Sequence, residues 1–164
     1  MIYQFTHQFK DARYWIDEKQ ITKKFSSSYS NFKSIRLVFR AIAASTNQRT
    51  MISTFIPQNC CCGNSLIIIH KFSQKNSEQT SIKDLLFLSG VFNSFIFDYL
   101  LRLKISQNLN MFFIRDMPLP IMTESENSYQ QLIALVSSIY SEYGEFRFAL
   151  ANSIPYSQQL SKLS

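Results

Sequence analysis

The chain has 164 residues, of which 46% are hydrophobic and 17% charged, with three glycines and four prolines. This composition excludes a disordered protein, and the length suits one domain with its own core or one piece of a larger protein. No apolar run approaches the roughly 18 residues of a membrane span, and the N-terminus lacks a secretory pattern. We therefore expect a cytoplasmic protein without a membrane partner.

The net charge of +6 is concentrated in the first third of the chain. Residues 1–50 hold nine Lys and Arg against three Asp and Glu, whereas residues 51–164 hold eight of each. A localised basic region beside aromatic residues is typical of proteins that bind polyanions. A basic face that merely keeps the protein soluble is the alternative.

Residues 1–34 form a basic and aromatic N-terminal segment. Its first part is predicted as a strand or irregular structure, and its second part, which begins at Lys23 and Lys24, as a connection. Tyr14 and Trp15 are predicted in the core, with an exposed stacking surface as the alternative.

Residues 36–57 predict a β-hairpin. Their alternation puts apolar residues on one face of the first strand and both Arg36 and Arg40 on the other. The polar residues 45–48 supply the turn, and Arg49 begins a return strand that a proline closes.

The hairpin also carries the clearest candidates for a binding site. Arg36, Arg40, Asn47 and Arg49 place several cations and one amide within a short reach, which suits phosphate oxygens and base edges. The alternative is that these arginines pair with carboxylates or cover apolar surface with their stems.

The apolar residues 65–70 are predicted as a central strand buried on both faces. A long helix is then predicted from Ser81, which forms a capping box with Asp84, and it contains an i,i+4 pair of Asp98 and Arg102. Its predicted core-facing stripe is Leu85, Leu88, Phe92, Phe95, Tyr99 and Leu103.

Residues 111–114 are predicted as a strand with an extended exit through Pro118 and Pro120. Thr123 and Glu126 are predicted to cap a last helix. Its predicted apolar face is Leu132, Leu135, Val136, Ile139, Tyr143 and Phe146.

Together these elements predict an α+β fold, in which a small, mostly antiparallel sheet with a hairpin packs against one or two long helices. Within one domain, residues 35–122 form the core, 123–151 the C-terminal helix and 152–164 a polar tail.

The sequence shows no catalytic signature. It has no glycine-rich phosphate loop, no paired carboxylates and no metal-binding spacing. The three consecutive cysteines at 60–62 predict neither a metal site nor a disulfide framework. We therefore predict no catalytic, cofactor-binding or metal-binding residue in this chain.

Three stretches, taken in order, carry a resemblance to a known family. They are RLVFRAIAASTNQRTMISTFIP (36–57), LLFLSGVFNSFIFDYLLRLKIS (85–106) and LNMFFIRDMPLP (109–120). They resemble the C-terminal target-recognition, or specificity, region of adenine-specific DNA methyltransferases of the Taq-type, fused restriction–modification and phage-defence classes. In that region an R-x-x-x-R … T-N-x-R-T hairpin precedes an L-x-x-L-x-N-S helix and a strand with a P-L-P or P-I-P exit. The resemblance covers about residues 35–122.

The resemblance implies a module that positions double-stranded DNA so that an adenine flips into a methyltransferase pocket elsewhere. The catalytic domain or subunit, with its S-adenosylmethionine, would lie outside this chain, which would be a fragment of a larger enzyme or a separate subunit. The predicted DNA-binding residues are Lys23, Lys24, Arg36, Arg40, Asn47, Arg49 and Thr50. In the alternative interpretation Arg36 and Arg40 are structural, as Asn93, Ser94 and the proline exit are predicted to be.

Two rival functions are compatible with the sequence. In the first, the helices dock a partner methyltransferase or restriction subunit, without direct DNA contact. In the second, Tyr3, Phe5, Tyr14 and Trp15 stack on single-stranded nucleic acid.

Overall fold

The computed structural model describes residues 14–24, 32–69 and 80–141. Its elements in chain order are α1 (Glu18–Lys24), β1 (Arg36–Arg40), β2 (Ser53–Ile56), β3 (Leu66–Ile69), α2 (Ile82–Phe92), α3 (Phe95–Arg102), α4 (Met111–Arg115) and α5 (Asn127–Ser141). The three strands form one antiparallel sheet, which shares a core with α2, α3 and α5, so the fold is α+β as predicted.

The sheet has the order β2-β1-β3, which makes β1 its central strand. Leu37 of β1 pairs with Phe55 of β2 on one side and with Ile69 of β3 on the other. The predicted antiparallel pairing of the hairpin is confirmed, but its return strand begins at Ser53 rather than at Arg49. The prediction that residues 65–70 form the central strand is wrong, because β3 lies at the edge of the sheet that the described strands form and is half-buried.

The core lies between the sheet and the helices α2, α3 and α5. The ring of Phe39 meets that of Phe92 edge-on with centroids 6.2 Å apart, and Phe55 meets Tyr140 in the same way at 4.9 Å. Val38, on the opposite face of β1, is buried in a smaller apolar cluster. Successive residues of β1 therefore pack into apolar clusters on opposite faces of the sheet, because a central strand is covered on both faces.

The predicted long helix is interrupted at Asn93 and Ser94, and its two parts, α2 and α3, meet at 64°. The capping box of Ser81 and Asp84 at the start of α2 is confirmed. Ser94 caps the second part, since its hydroxyl accepts a hydrogen bond from the backbone N–H of Phe97 at 3.2 Å. Ser94 is thus a second capping residue within the predicted apolar stripe, and it marks where one helix ends and the next begins.

The break changes which residues of the stripe are buried. Phe95, Tyr99 and Leu103, predicted in the core, are exposed, while Phe97 and Leu101 are buried in their place. The predicted stripe is therefore correct for α2 and wrong for α3. After the bend a new helix begins, and different positions of it face the core.

Among the described helices, none is by itself long and apolar enough to cross a membrane. The bent pair α2 and α3 reaches that length and composition only when its two parts are taken together.

The prediction of a strand at residues 111–114 is wrong, because these residues lie in α4. Asn110 caps this short helix, and its Oδ1 accepts hydrogen bonds from the N–H groups of Phe112 and Phe113 at 3.0 and 3.4 Å. Asn110 therefore marks the start of a helix rather than of a strand.

The last predicted helix is present as α5, and Val136 of its predicted apolar face is buried. Leu135 and Ile139 are more exposed, and Tyr143 and Phe146 lie outside the described residues. The buried face is formed by Tyr129, Ile133, Val136 and Tyr140. Thr123 and Glu126 bond to each other in the turn before α5, with 2.8 Å between the Thr123 nitrogen and Glu126 Oε1.

Candidate nucleic-acid interface

The connection from residue 41 to residue 52 is held against α3 by the carboxylate of Asp98. This side chain is buried, with 4% of its residue exposed. Its Oδ1 accepts hydrogen bonds from the backbone N–H groups of Thr50 and Met51 at 2.9 and 2.7 Å, and Oδ2 accepts one from Arg102 Nε at 3.0 Å. The predicted pair of Asp98 and Arg102 is therefore confirmed. Thr50 and Met51 do not extend the return strand, because their N–H groups bond to α3.

Asn93, in the break between α2 and α3, joins the helices to the edge of the sheet. Its Oδ1 accepts from the backbone N–H of Ser53 at 3.2 Å, and its Nδ2 donates to the carbonyl of Ser53 at 3.1 Å. Nδ2 also donates to the carbonyl of Ser89 at 3.0 Å. The amide thus satisfies both outward-facing backbone groups of Ser53 on an edge strand, where unpaired groups are otherwise costly.

Three arginines complete this contact by bonding to backbone carbonyls. Arg49 Nη2 donates to the carbonyl of Asn93 at 2.7 Å, and its guanidinium lies 4.6 Å from the ring centroid of Phe95. Arg40 Nη2 donates to the carbonyl of Arg49 at 3.2 Å, and Arg102 Nη2 donates to the carbonyl of Gln48. We call these groups, which are Arg40, Arg49, Asn93, Asp98 and Arg102, the polar junction.

The third stretch of the resemblance meets the same connection. The backbone N–H of Leu109 donates to the carbonyl of Ala41 at 2.7 Å, and the N–H of Ala43 donates to the carbonyl of Gln107 at 3.3 Å. Ile42 forms an isolated antiparallel bridge with Asn108. All three stretches of the resemblance therefore converge on one part of the fold.

Between these two attachments the chain projects four polar residues, which we call the polar tip: Ser45, Thr46, Asn47 and Gln48. The N–H of Asn47 donates to the carbonyl of Ala44 at 3.1 Å, which closes a turn. Ser45, Thr46 and Gln48 are exposed and Asn47 is partly so. The tip therefore presents hydroxyls and amides beyond the buried junction.

The structure places two of the predicted DNA-binding residues in the interior. Arg36 is 4% exposed and donates to the carbonyl of Cys60, and burial lowers the pKa of its guanidinium. The same burial raises the pKa of the neighbouring Cys62 thiol. Thr50 is fully buried, and its hydroxyl donates to the carbonyl of Ala44 at 3.2 Å. Thr50 thus supports the fold at the base of the connection, and Arg36 supports it at the other end of the hairpin.

The other predicted residues differ in position. Arg40 and Arg49 are partly exposed members of the polar junction, and Asn47 belongs to the polar tip. Lys23 and Lys24 are exposed in the last turn of α1, a helix that the sequence did not predict.

The aromatic residues before α1 are also on the surface. Tyr14 and Trp15 are 87% and 89% exposed, so their predicted place in the core is wrong. Tyr3 and Phe5, the other residues of the predicted stacking surface, lie outside the described residues.

Sequence reasoning missed the roles of Asp98 and Asn93, although two signals were present. An asparagine followed by a serine interrupts the predicted apolar stripe, and an acid follows five residues later, next to Tyr99 of that stripe. Both residues are 8% exposed or less. Buried polar side chains are rare unless they are hydrogen-bonded, so their place in an apolar pattern indicates partners elsewhere in the chain.

The outer side of α3 carries an exposed apolar face made of Phe95, Ile96, Tyr99 and Leu103. Their exposed fractions are 82%, 75%, 63% and 69%. The spacing of these residues places them on one side of the helix, opposite the buried Phe97 and Leu101. A contiguous apolar surface of this kind is typical of a protein–protein contact.

Within the described residues, no group of three or more His, Cys, Asp or Glu side chains could hold a metal ion. No family model, curated protein or solved structure matches the chain. The assignment of function therefore depends on the residues and their geometry.

Proposed function

We propose that the chain is a DNA target-recognition module of an adenine-specific DNA methyltransferase or restriction–modification system. It binds double-stranded DNA and positions it for methylation by a catalytic domain or subunit that this chain does not contain. That partner holds S-adenosylmethionine, and the complex works in the cytoplasm.

The observation that carries this proposal is the convergence of the three stretches of the resemblance. The turn with Arg49 and Thr50, the helix break at Asn93 and the segment before Asn110 are separated in sequence but adjacent in the fold. The three stretches span some 80 residues. Because they contact one another in the fold, their order in the sequence has a structural explanation. The contacts support the resemblance. They also indicate that many residues of the pattern hold the fold together rather than contact DNA.

The charge of the surface supports DNA as the ligand. The net charge of +6 lies in the third of the chain that contains α1 and the polar tip. Lys23 and Lys24 on α1 are exposed cations suited to phosphate contacts, whereas Arg36 is internal. We therefore place phosphate contacts on α1 and take Arg36 and Thr50 as structural.

A salt series with the purified full chain tests the proposal. Affinity for a fluorescent duplex should fall steeply as salt rises, because phosphate contacts release counterions. Lys23→Gln and Lys24→Gln should each weaken binding at low salt and reduce the slope of log affinity against log salt by about 1. Fluorescence anisotropy measures both quantities.

Lys83→Gln is the matched control, since Lys83 forms an exposed ion pair with Glu124 at 3.2 Å at the start of α2. It should leave the slope unchanged. Absence of duplex binding at low salt, or a slope that none of the lysine substitutions alters, would contradict the proposal.

A second function is favoured by the exposed apolar face of α3. In this alternative the chain docks a partner methyltransferase or restriction subunit through Phe95, Ile96, Tyr99 and Leu103, without direct DNA contact. Their exposed rings and aliphatic side chains have the composition of an interface core rather than of a solvated helix.

The docking alternative predicts that the isolated chain associates with itself as its concentration rises, because the face is not covered. Ile96→Lys/Leu103→Lys should shift the chain to a monomer with little change in melting temperature. Ile121→Lys is the control, since Ile121 is 98% exposed and lies outside the face. Light scattering coupled to size-exclusion chromatography measures the mass. A monomer at all concentrations that still binds DNA would contradict the docking alternative.

A further inference from the structure

We infer that the polar tip, residues 45–48, reads the edges of DNA bases, and that the arginines of the polar junction act as its internal support. This inference rests on the proposed function, and it names the residues that carry specificity within it. Ser45, Thr46 and Gln48 were not among the DNA-binding residues predicted from the sequence, although Thr46 belongs to the hairpin pattern of the resemblance. Their hydroxyl and amide groups are donors and acceptors of the kind that pair with base edges in a groove.

The tip is fixed at its base on both sides. On the incoming side, the Ala41 carbonyl bonds to Leu109 and the Ala43 N–H bonds to Gln107. On the outgoing side, the Gln48 carbonyl bonds to Arg102, and the Thr50 N–H bonds to Asp98 at 2.9 Å. A loop whose base is held in this way loses little conformational freedom when it binds, which favours precise contacts.

The junction also places positive charge beneath the tip. Arg40, Arg49 and Arg102 carry three positive charges and Asp98 carries one negative charge, so the group has a formal charge of +2. Side chains of the tip are themselves neutral. Phosphates on either side of a groove are thus attracted to the base of the loop, while neutral groups reach the bases.

The arginines do not suit direct readout, because each already donates a hydrogen bond to a backbone carbonyl of the fold. Arg49 bonds to the carbonyls of Asn93 and Ser94 at 2.7 and 3.3 Å, and its side chain is 15% exposed. Turning it toward DNA would leave these carbonyls without that donor. The exposed side chains of the tip can contact a ligand without disturbing any contact of the junction.

Thr46→Ala and Gln48→Ala test the inference in the full chain. Each removes a neutral side chain and leaves the backbone carbonyl of Gln48 in place for Arg102. Affinity for duplex DNA should fall about tenfold for Gln48→Ala and less for Thr46→Ala, with an unchanged slope against salt. Gln58→Ala, which removes an exposed glutamine from the loop after β2, is the control and should bind as the unsubstituted chain does.

Selection from a randomised duplex pool then separates base reading from phosphate contact. The unsubstituted chain should enrich particular sequences, and the tip substitutions should change or abolish that enrichment. Unchanged affinity, or weaker binding with the same enriched sequences, would overturn the inference while leaving the proposed function standing. If the unsubstituted chain binds no duplex, both the proposed function and this inference are overturned.

Discussion

Asp98→Ala is expected to lower the free energy of unfolding by about 3–5 kcal/mol. The substitution leaves the buried N–H groups of Thr50 and Met51 without an acceptor, and it removes the anion beside Arg49 and Arg102. Each unsatisfied buried N–H costs about 1–3 kcal/mol, and an unpaired, partly buried guanidinium adds to that cost. Urea unfolding followed by circular dichroism measures the change.

Asp116→Ala is the matched control for this prediction. Asp116 also pairs with a cation, since its Oδ2 lies 2.8 Å from Lys104 Nζ, but its side chain is 68% exposed. An exposed pair contributes roughly 0–1 kcal/mol, so the control should be nearly as stable as the unsubstituted chain. Asp98→Asn should fall between the two, because one oxygen remains as an acceptor. Equal stability of Asp98→Ala and Asp116→Ala would show that the carboxylate does not hold the connection.

Asn93→Ala is expected to cost about 2–3 kcal/mol of stability. The substitution leaves both the N–H and the carbonyl of Ser53 without their partner at the edge of β2. The carbonyl of Ser89 is less affected, because it also accepts from the backbone N–H of Asn93 at 3.2 Å. The loss should appear as a lower midpoint of urea unfolding with an unchanged slope.

Asn93→Asp distinguishes the two halves of the amide. The carboxylate keeps an acceptor for the Ser53 N–H but has no donor for the carbonyls of Ser53 and Ser89, so this variant should be at least as unstable as Asn93→Ala. Asn108→Ala is the control, since Asn108 is exposed and forms its bridge through the backbone. A stable Asn93→Asp would argue that the bond from the Ser53 N–H alone is sufficient.

The features that were predictable from the sequence depend on neighbouring residues. The two residues of the capping box, Ser81 and Asp84, lie within a few positions of each other, and so do Asp98 and Arg102 of the ion pair, so that spacing determines contact. These predictions are confirmed. The position of β1 at the centre of the sheet was not predictable in this way, because strand order depends on pairing between distant segments.

The candidate site was only partly predictable for the same reason. The sequence identified Arg49 and Thr50 but assigned them outward roles, because their partners Asn93 and Asp98 lie more than 40 positions away. The Asn93 side chain, which bonds to Ser53, likewise connects residues 40 apart, and Ser94 starts a new helix beside it. Side-chain bonds to distant backbone groups leave no periodic pattern in the sequence, so the polar junction was recognisable only from the structure.

The attachment of the tip has a consequence for the order of folding. The bond between the Thr50 N–H and Asp98 closes a separation of 48 residues, and the bond between Ala41 and Leu109 closes a longer one. Contacts of such long range form late, since the entropy of closing a long loop is lost before the contact is gained. An intermediate with only the hairpin paired would have no ordered tip. The polar tip should therefore become ordered in one cooperative step, after residues up to 109 have left the ribosome and the helices have packed on the sheet.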